Sequence, residues 1–182
     1  MKKRKNILTY ISLLALSVCL LVSGVYAAKN ATMTATSTVS FTASNCKMAI
    51  TAITCEGQLA SSTINAVPSG GVVLESKGST TSKSYDLGSL LFDDITSNGD
   101  SVNPITISIT VKNNSDWAIK LTSTASMTST TYATIAISQG ASVASLAAGS
   151  TTVVKATLTC KSTASAFTGQ SFTISIAGVK VG

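Results

Sequence analysis

An all-β fold, a two-sheet sandwich behind an N-terminal signal helix, is predicted by three observations. Several segments alternate apolar and polar residues with period two. Serine and threonine make up roughly a third of the chain after residue 27, a composition that suits pleated, half-buried surfaces. Gly and Asn clusters punctuate short strands at sandwich-like spacing, and no helical periodicity of useful length follows the first 27 residues.

Lys2, Lys3, Arg4 and Lys5 precede an apolar run, Ile7 to Val22, and Val25-Tyr26-Ala27 offers a cleavage site. Residues 1–27 are therefore expected to be a removed signal peptide, with a segment 28–44 and a β-sandwich domain 45–182 behind it. Ala31 to Ala43 alternates, with Met33, Ala35, Val39, Phe41 and Ala43 on one face and mostly threonine on the other. No hairpin partner adjoins it. Met48 to Thr54, Gly71 to Leu74 and Tyr85 to Leu87 are weaker strands.

Ile105, Ile107, Ile109 and Val111 line one face of a strand, Asn113-Asn114-Ser115-Asp116 is a turn cluster, and Trp117, Ile119 and Leu121 alternate again. This pair reads as a β-hairpin, with Trp117, the sole tryptophan, as a core anchor. Thr134 to Ser138 follows with Ile135 and Ile137 inward. The turn Ala147 to Ser150 then leads into Thr151 to Cys160, and Ser171 to Ala177 carries Phe172, Ile174 and Ile176. Only Pro68 and Pro104 interrupt.

The charge balance excludes several functions. Four of the thirteen cationic side chains lie in residues 2–5, leaving nine scattered lysines against seven acids, a net charge of +2. That is no nucleic-acid footprint. Histidine is absent, which removes the commonest general base and metal ligand. Ser44-Asn45-Cys46-Lys47 matches a bare Ser-x-x-Lys spacing, as chance provides in a serine-rich chain. The paired carboxylates of a glycosidase would have to come from loop residues with few aromatics beside them. No enzyme and no cofactor is expected. Asp93, Asp94 and Asp100 are weak calcium candidates without EF-hand spacing. Asn30 and Asn113 head acceptor patterns for N-glycosylation, at a chain start and a corner expected to be exposed.

Cys19 belongs to the signal, which leaves an odd set in an oxidising compartment: Cys46, Cys55 and Cys160. A Cys46–Cys55 bridge would close a ten-residue loop for about 2.5–3 kcal/mol. Pairing of Cys160 with either is the alternative, because connectivity is not written in spacing. No second stretch of membrane-spanning length and no sorting signal is visible, so the mature chain is expected to be secreted, without a membrane segment.

Leu87-Gly88-Ser89-Leu90, ITISITVKNNSDWAIKL from Ile105, LAAGSTTVVKATL from Leu146 and GQSFTISI from Gly169 resemble the Ig-like secreted fibre subunits of the TasA/camelysin class and the archaeal bundling pilins similar to them. The opening ATMTATSTVSFTASNC also looks like spore-coat-U-type pilins. The resemblance implies an Ig-like or jelly-roll-like sandwich that polymerises into an extracellular pilus or biofilm matrix fibre by donor-strand complementation. Its partners would be copies of itself, with a cell-surface anchor or assembly factor possible.

Physically, the thirteen positions Ala31 to Ala43 reach roughly 40 Å, enough to cross a domain. Val39 and Phe41 are the natural fillers of a groove left by a missing strand, which the Ile105, Trp117, Val154 and Phe172 strands are expected to form. Two rivals stand beside this reading. One is a monomeric Ig-like adhesion or surface-layer module with the first strand in its own sheet. The other is a type IV-like pilin that keeps its apolar N-terminal helix, although Asn6 sits where its peptidase wants a small residue.

Overall fold

The computed structural model describes residues 31–57, 61–95, 104–131, 133–160 and 167–182. Residues 1–30, and with them the signal peptide and Asn30, lie outside the described residues. Eleven strands occur in the described residues: β1 Ala31–Ser44, β2 Lys47–Glu56, β3 Ser61–Ile64, β4 Val72–Glu75, β5 Thr80–Ile95, β6 Ile105–Asn113, β7 Ile119–Met127, β8 Ala133–Gln139, β9 Ser142–Leu146, β10 Thr151–Cys160 and β11 Phe167–Lys180. They form two sheets, one ordered β3-β5-β1-β11-β7-β9 and the other β4-β2-β6-β10-β8. The fold is a two-sheet β-sandwich, as the alternation predicts.

The inward faces are those read from the sequence. Ile105, Ile107, Ile109 and Val111 of β6 are buried, and so are Val154, Ala156 and Leu158 of β10 beside them. Across the interior stand Val39, Phe41 and Ala43 of β1, Ile119 and Leu121 of β7, and Phe172, Ile174 and Ile176 of β11. Ile135 and Ile137 of β8 are partly buried against this cluster. Threonines and serines take the alternate positions, where a branched polar side chain covers the pleat and still reaches water.

Two strands hide their pattern behind bulges. In β2 the register with β6 slips between Ile50 and Ala52, so the inward side changes from Met48 and Ile50 to Ile53 and Cys55. A bulge places two residues against one and flips the parity that follows. In β5 the slip lies opposite Ser37 and Thr38, where Leu87 is the extra residue and Gly88 has φ +93°. Ser37, itself buried on the inner face of β1, donates its hydroxyl to Gly88 O at 3.0 Å. This irregularity is why only Tyr85 to Leu87 stood out in a strand sixteen residues long.

The expected β6–β7 hairpin is a correction. β6 pairs with β2 and β10, β7 with β11 and β9, so residues 114–118 carry the chain from one sheet to the other. A hairpin and an intersheet corner both turn one apolar face inward, and periodicity does not distinguish them. The corner is held by Asn113, which is fully buried. Its Nδ2 donates to Trp117 O (2.8 Å), Leu146 O (2.9 Å) and Ala147 O (3.1 Å), and its Oδ1 accepts from Ser115 N at 2.9 Å.

Candidate functional site

β1 is the element on which the sequence places function, and the structure places it in the middle of its own sheet. It runs parallel to β11, with Val39 opposite Ile174 and Phe41 opposite Ile176. On its other side it runs antiparallel to β5, with Val39 opposite Tyr85 and Phe41 opposite Lys83. As expected, no hairpin partner adjoins it: its partners, β5 and β11, are far away in sequence. Met33 and Ala35 lie on β1 opposite Phe167 and Gln170; their side chains are outside the described residues. Of the strands expected to surround β1, that of Phe172 is its direct neighbour and β7 lies in the same sheet, whereas the Ile105 and Val154 strands form the facing sheet; its second neighbour is β5.

Among the described residues, no other strand joins β3 and β5 to β11, β7 and β9. Without β1, that sheet is two separate pieces above an open core. Val39, Phe41 and Ala43 are each at most 1% exposed, so an empty slot would uncover the centre of the sandwich.

β1 leaves the sheet through a short corner, Asn45-Cys46, which leads directly into β2 in the other sheet. Asn45 has φ 50°, a left-handed conformation that asparagine tolerates better than most residues. Its Oδ1 accepts from Gly78 N at 2.6 Å, and its main-chain oxygen accepts from Trp117 Nε1 at 3.1 Å. Cys46 is buried and donates its thiol to Gly178 O at 3.3 Å. Ser115 closes the far side: its hydroxyl accepts from Lys47 N (2.8 Å) and donates to Lys47 O (3.1 Å).

This corner is one part of a pole of the sandwich. Ser44 lies opposite both Thr80 and Val179, Lys47 opposite Glu75, Met48 opposite Asn113, and Ile119 opposite Lys180. A cleft of about 330 Å³ opens here, with Lys47, Glu75, Lys77, Asp116 and Trp117 in its lining. Glu75 meets Lys47 and Lys77, each at 3.2 Å. The hydrogen bond from Lys47, and then that from Lys77, holds the Glu75 carboxyl below its ordinary range. Because the folded value is lowered, this small exposed contribution is present above the ordinary glutamate pKa and fades as pH falls through the lowered one.

Trp117 is no core anchor. It is 40% exposed, because the chain is still turning there and the inward alternation starts at Ile119. Its indole is nevertheless held in place, by the bond to Asn45 and by the Lys180 ammonium 4.6 Å from the ring centroid. The sequence carries one signal for this pole: an asparagine at each of its two corners, Asn45 and Asn113.

The other predicted residues separate. Cys46 and Cys55 are both free, at opposite ends of one extended strand. Nine steps of about 3.3 Å put them roughly 30 Å apart, while a disulfide needs Cα atoms within about 7 Å. Burial raises both thiol pKa values, that of Cys55 to about 11. Both thiols are therefore expected to alkylate slowly in the folded protein and fast in denaturant, with about one Cys55 in a thousand ionised at pH 8. Non-reducing peptide mapping that finds a Cys46–Cys55 bridge would contradict this.

Asn113 is corrected as a glycan acceptor, since its amide nitrogen is buried and committed to three carbonyls. Asp93 and Asp94 sit near the end of β5, their side chains outside the described residues, and Asp100 is outside entirely. The side chain of Cys160 is outside as well. Among the described residues, no three His, Cys, Asp or Glu side chains come together as a metal site. Among them, too, no helix is long and apolar enough to cross a membrane.

No model of a known protein family matches the chain. No curated protein matches it either. Among solved structures, it aligns with the Fcho1 mu-homology domain of Danio rerio at 6% identity and a TM-score of 0.21, over 84% of this chain and 97% of that one. With the yeast delta-COP-I mu-homology domain the identity is 7% and the TM-score 0.15, over the same shares. Likeness at this level carries no argument about fold or function.

Proposed function

We propose that the protein is a secreted structural subunit of an extracellular filament, a pilus or biofilm matrix fibre, built by passing β1 from one copy into the slot of the next. The observation that carries this reading is the place of β1 as, among the described residues, the sole link between the two parts of its sheet. A strand so placed is needed by every copy, and it makes the same ladder and buries the same Val39 and Phe41 whether its own chain or a neighbour supplies it. Its tether is one short corner. The sandwich would be of the Ig-like or jelly-roll-like kind, residues 1–27 would be the export signal, and the partners would be further copies of the chain. Catalysis, nucleic acid and a membrane span have no part in this reading.

A self-contained secreted adhesion or surface-layer module is the second reading, favoured by the pairing of β1 within its own chain. One pair of cysteines separates the two. Thr42 on β1 and Ser82 on β5 face each other with their hydroxyl oxygens 3.0 Å apart. Chains carrying only Thr42→Cys are mixed with chains carrying only Ser82→Cys and allowed to assemble. Strand donation is expected to give disulfide-linked pairs on a non-reducing gel, and the doubly substituted chain a ladder. If the double variant stays a cross-linked monomer and the mixture stays unlinked, donation is wrong. N-terminal sequencing of the exported protein adds a check: a start at Ala28 agrees, and a start near Ile7 favours a retained pilin helix.

A further inference from the structure

One pole of the sandwich carries an exposed indole that is held in place. Among the described residues the large apolar side chains left exposed are Val73, Trp117, Val179 and Val181. Val179 lies opposite Ser44 at the end of β1, Val181 hydrogen-bonds through its N–H to Ala118 O beside Trp117, and Val73 is on β4 two residues before Glu75. Val179 stands on the outer face of its sheet beside Ser44 and Val73 on the outer face of the other sheet, so what marks this end is the single large indole of Trp117, part-exposed yet held, with Val181 next to it. Both signs of charge stand among them: Lys47, Lys77 and Lys180 with Glu75 and Asp116.

We infer that this Trp117 pole is the face on which a second copy of the chain sits, pole against pole, when β1 is exchanged. The inference rests on the filament reading and follows from its topology. In its slot, β1 ends at Ser44 beside Thr80 and Val179, and its chain resumes at Cys46. A donated strand must keep that register, so its Ser44 lies at the acceptor's Trp117 pole. The donor's own Cys46 is only two residues on, a reach of about 7 Å. The donor's Trp117 pole is therefore brought next to the acceptor's Trp117 pole.

The chemistry of the surface suits a contact with its own kind. Lys77 and Lys180 of one copy can meet Glu75 and Asp116 of the other in both directions, while Trp117 and Val181 lose water between them. The Lys180 ammonium already lies over the Trp117 ring in the single chain, so part of its ordering precedes the contact. In a filament, each copy receives one strand and gives another through this pole, which turns the poles toward the fibre axis. A reciprocal exchange would instead close as a pair.

Trp117 is the chain's sole tryptophan, so the experiment has a built-in probe. Acrylamide quenching of its fluorescence is measured on the full mature chain before and after assembly. The expected result is a several-fold fall in the quenching constant and a blue shift of the emission. In parallel, Val181→Glu, an exposed position, is expected to raise the protein concentration needed for assembly about tenfold without changing the thermal midpoint of the single chain. Glu56→Lys, at the far end of β2, is expected to change neither.

A tryptophan as open to acrylamide in the assembly as in the single chain overturns the inference, even if the Thr42/Ser82 cross-links form and strand exchange stands. Closed pairs with a protected tryptophan uphold the pole contact and overturn the filament. A chain that stays single at every concentration overturns both.

Discussion

Replacing Phe41 with alanine is expected to lower the unfolding free energy by about 3–5 kcal/mol, the loss typical of a large aromatic side chain deleted from a packed interior. Phe41 is 1% exposed, among the largest of the fully buried side chains, and stands on the strand that closes its sheet. Domain stabilities are commonly about 5–15 kcal/mol, so this one truncation removes a large part of the total. Thr42→Ala, one position on, is the control: its side chain reaches the outer face and loses one exposed hydroxyl contact with Ser82. It is expected to change stability by less than about 1 kcal/mol. Urea denaturation of both variants reads the difference, and equal effects would mean that β1 does not present Phe41 to the interior. The same deletion weakens a donated strand as much as a retained one, so Phe41→Ala filaments are expected to need more protein to form.

Asn113→Ala is expected to cost about 3 kcal/mol or more. Truncation leaves the carbonyls of Trp117, Leu146 and Ala147 and the N–H of Ser115 without their side-chain partner, and each buried polar group left unpaired costs about 1–3 kcal/mol. Asn113→Asp is expected to be at least as damaging, because it replaces a donor with a charge aimed at three carbonyl oxygens. Denaturation midpoints test both. Loss of an unoccupied glycan site would instead leave the midpoint unchanged, so the measurement also separates a structural asparagine from an acceptor. An altered corner should further loosen Trp117, whose carbonyl Asn113 holds, and shift its emission.

The two corners show how far the sequence could be read. Ile105 to Val111 announces its buried face by alternation, because period two is a property of a single strand and needs no knowledge of its neighbour. The same holds for Phe172, Ile174 and Ile176. β5 and the second half of β2 were only partly legible, since one extra residue at a bulge reverses the parity, and Leu87 to Leu90 or Ile50 to Ile53 then looks like noise. β3 and β9, short strands at opposite edges of one sheet, carried too few apolar residues to stand out.

Composition and alternation were enough for an all-β sandwich and for most of its inward residues, Val39 and Phe41 of the strand from Ala31 among them. Which sheet each strand joined was not in them. Asn113 to Asp116 spells a turn equally well within a sheet or between sheets, Cys46 and Cys55 are near in sequence and far apart along an extended strand, and Trp117 sits one turn short of the interior its apolar character suggested. Each of these depends on pairing between segments remote in the chain, chosen by how two whole faces pack and how every buried carbonyl finds a donor. The same long-range choice set β1 between β5 and β11 and gathered Trp117, Val179 and Val181 at the pole where that strand leaves its sheet.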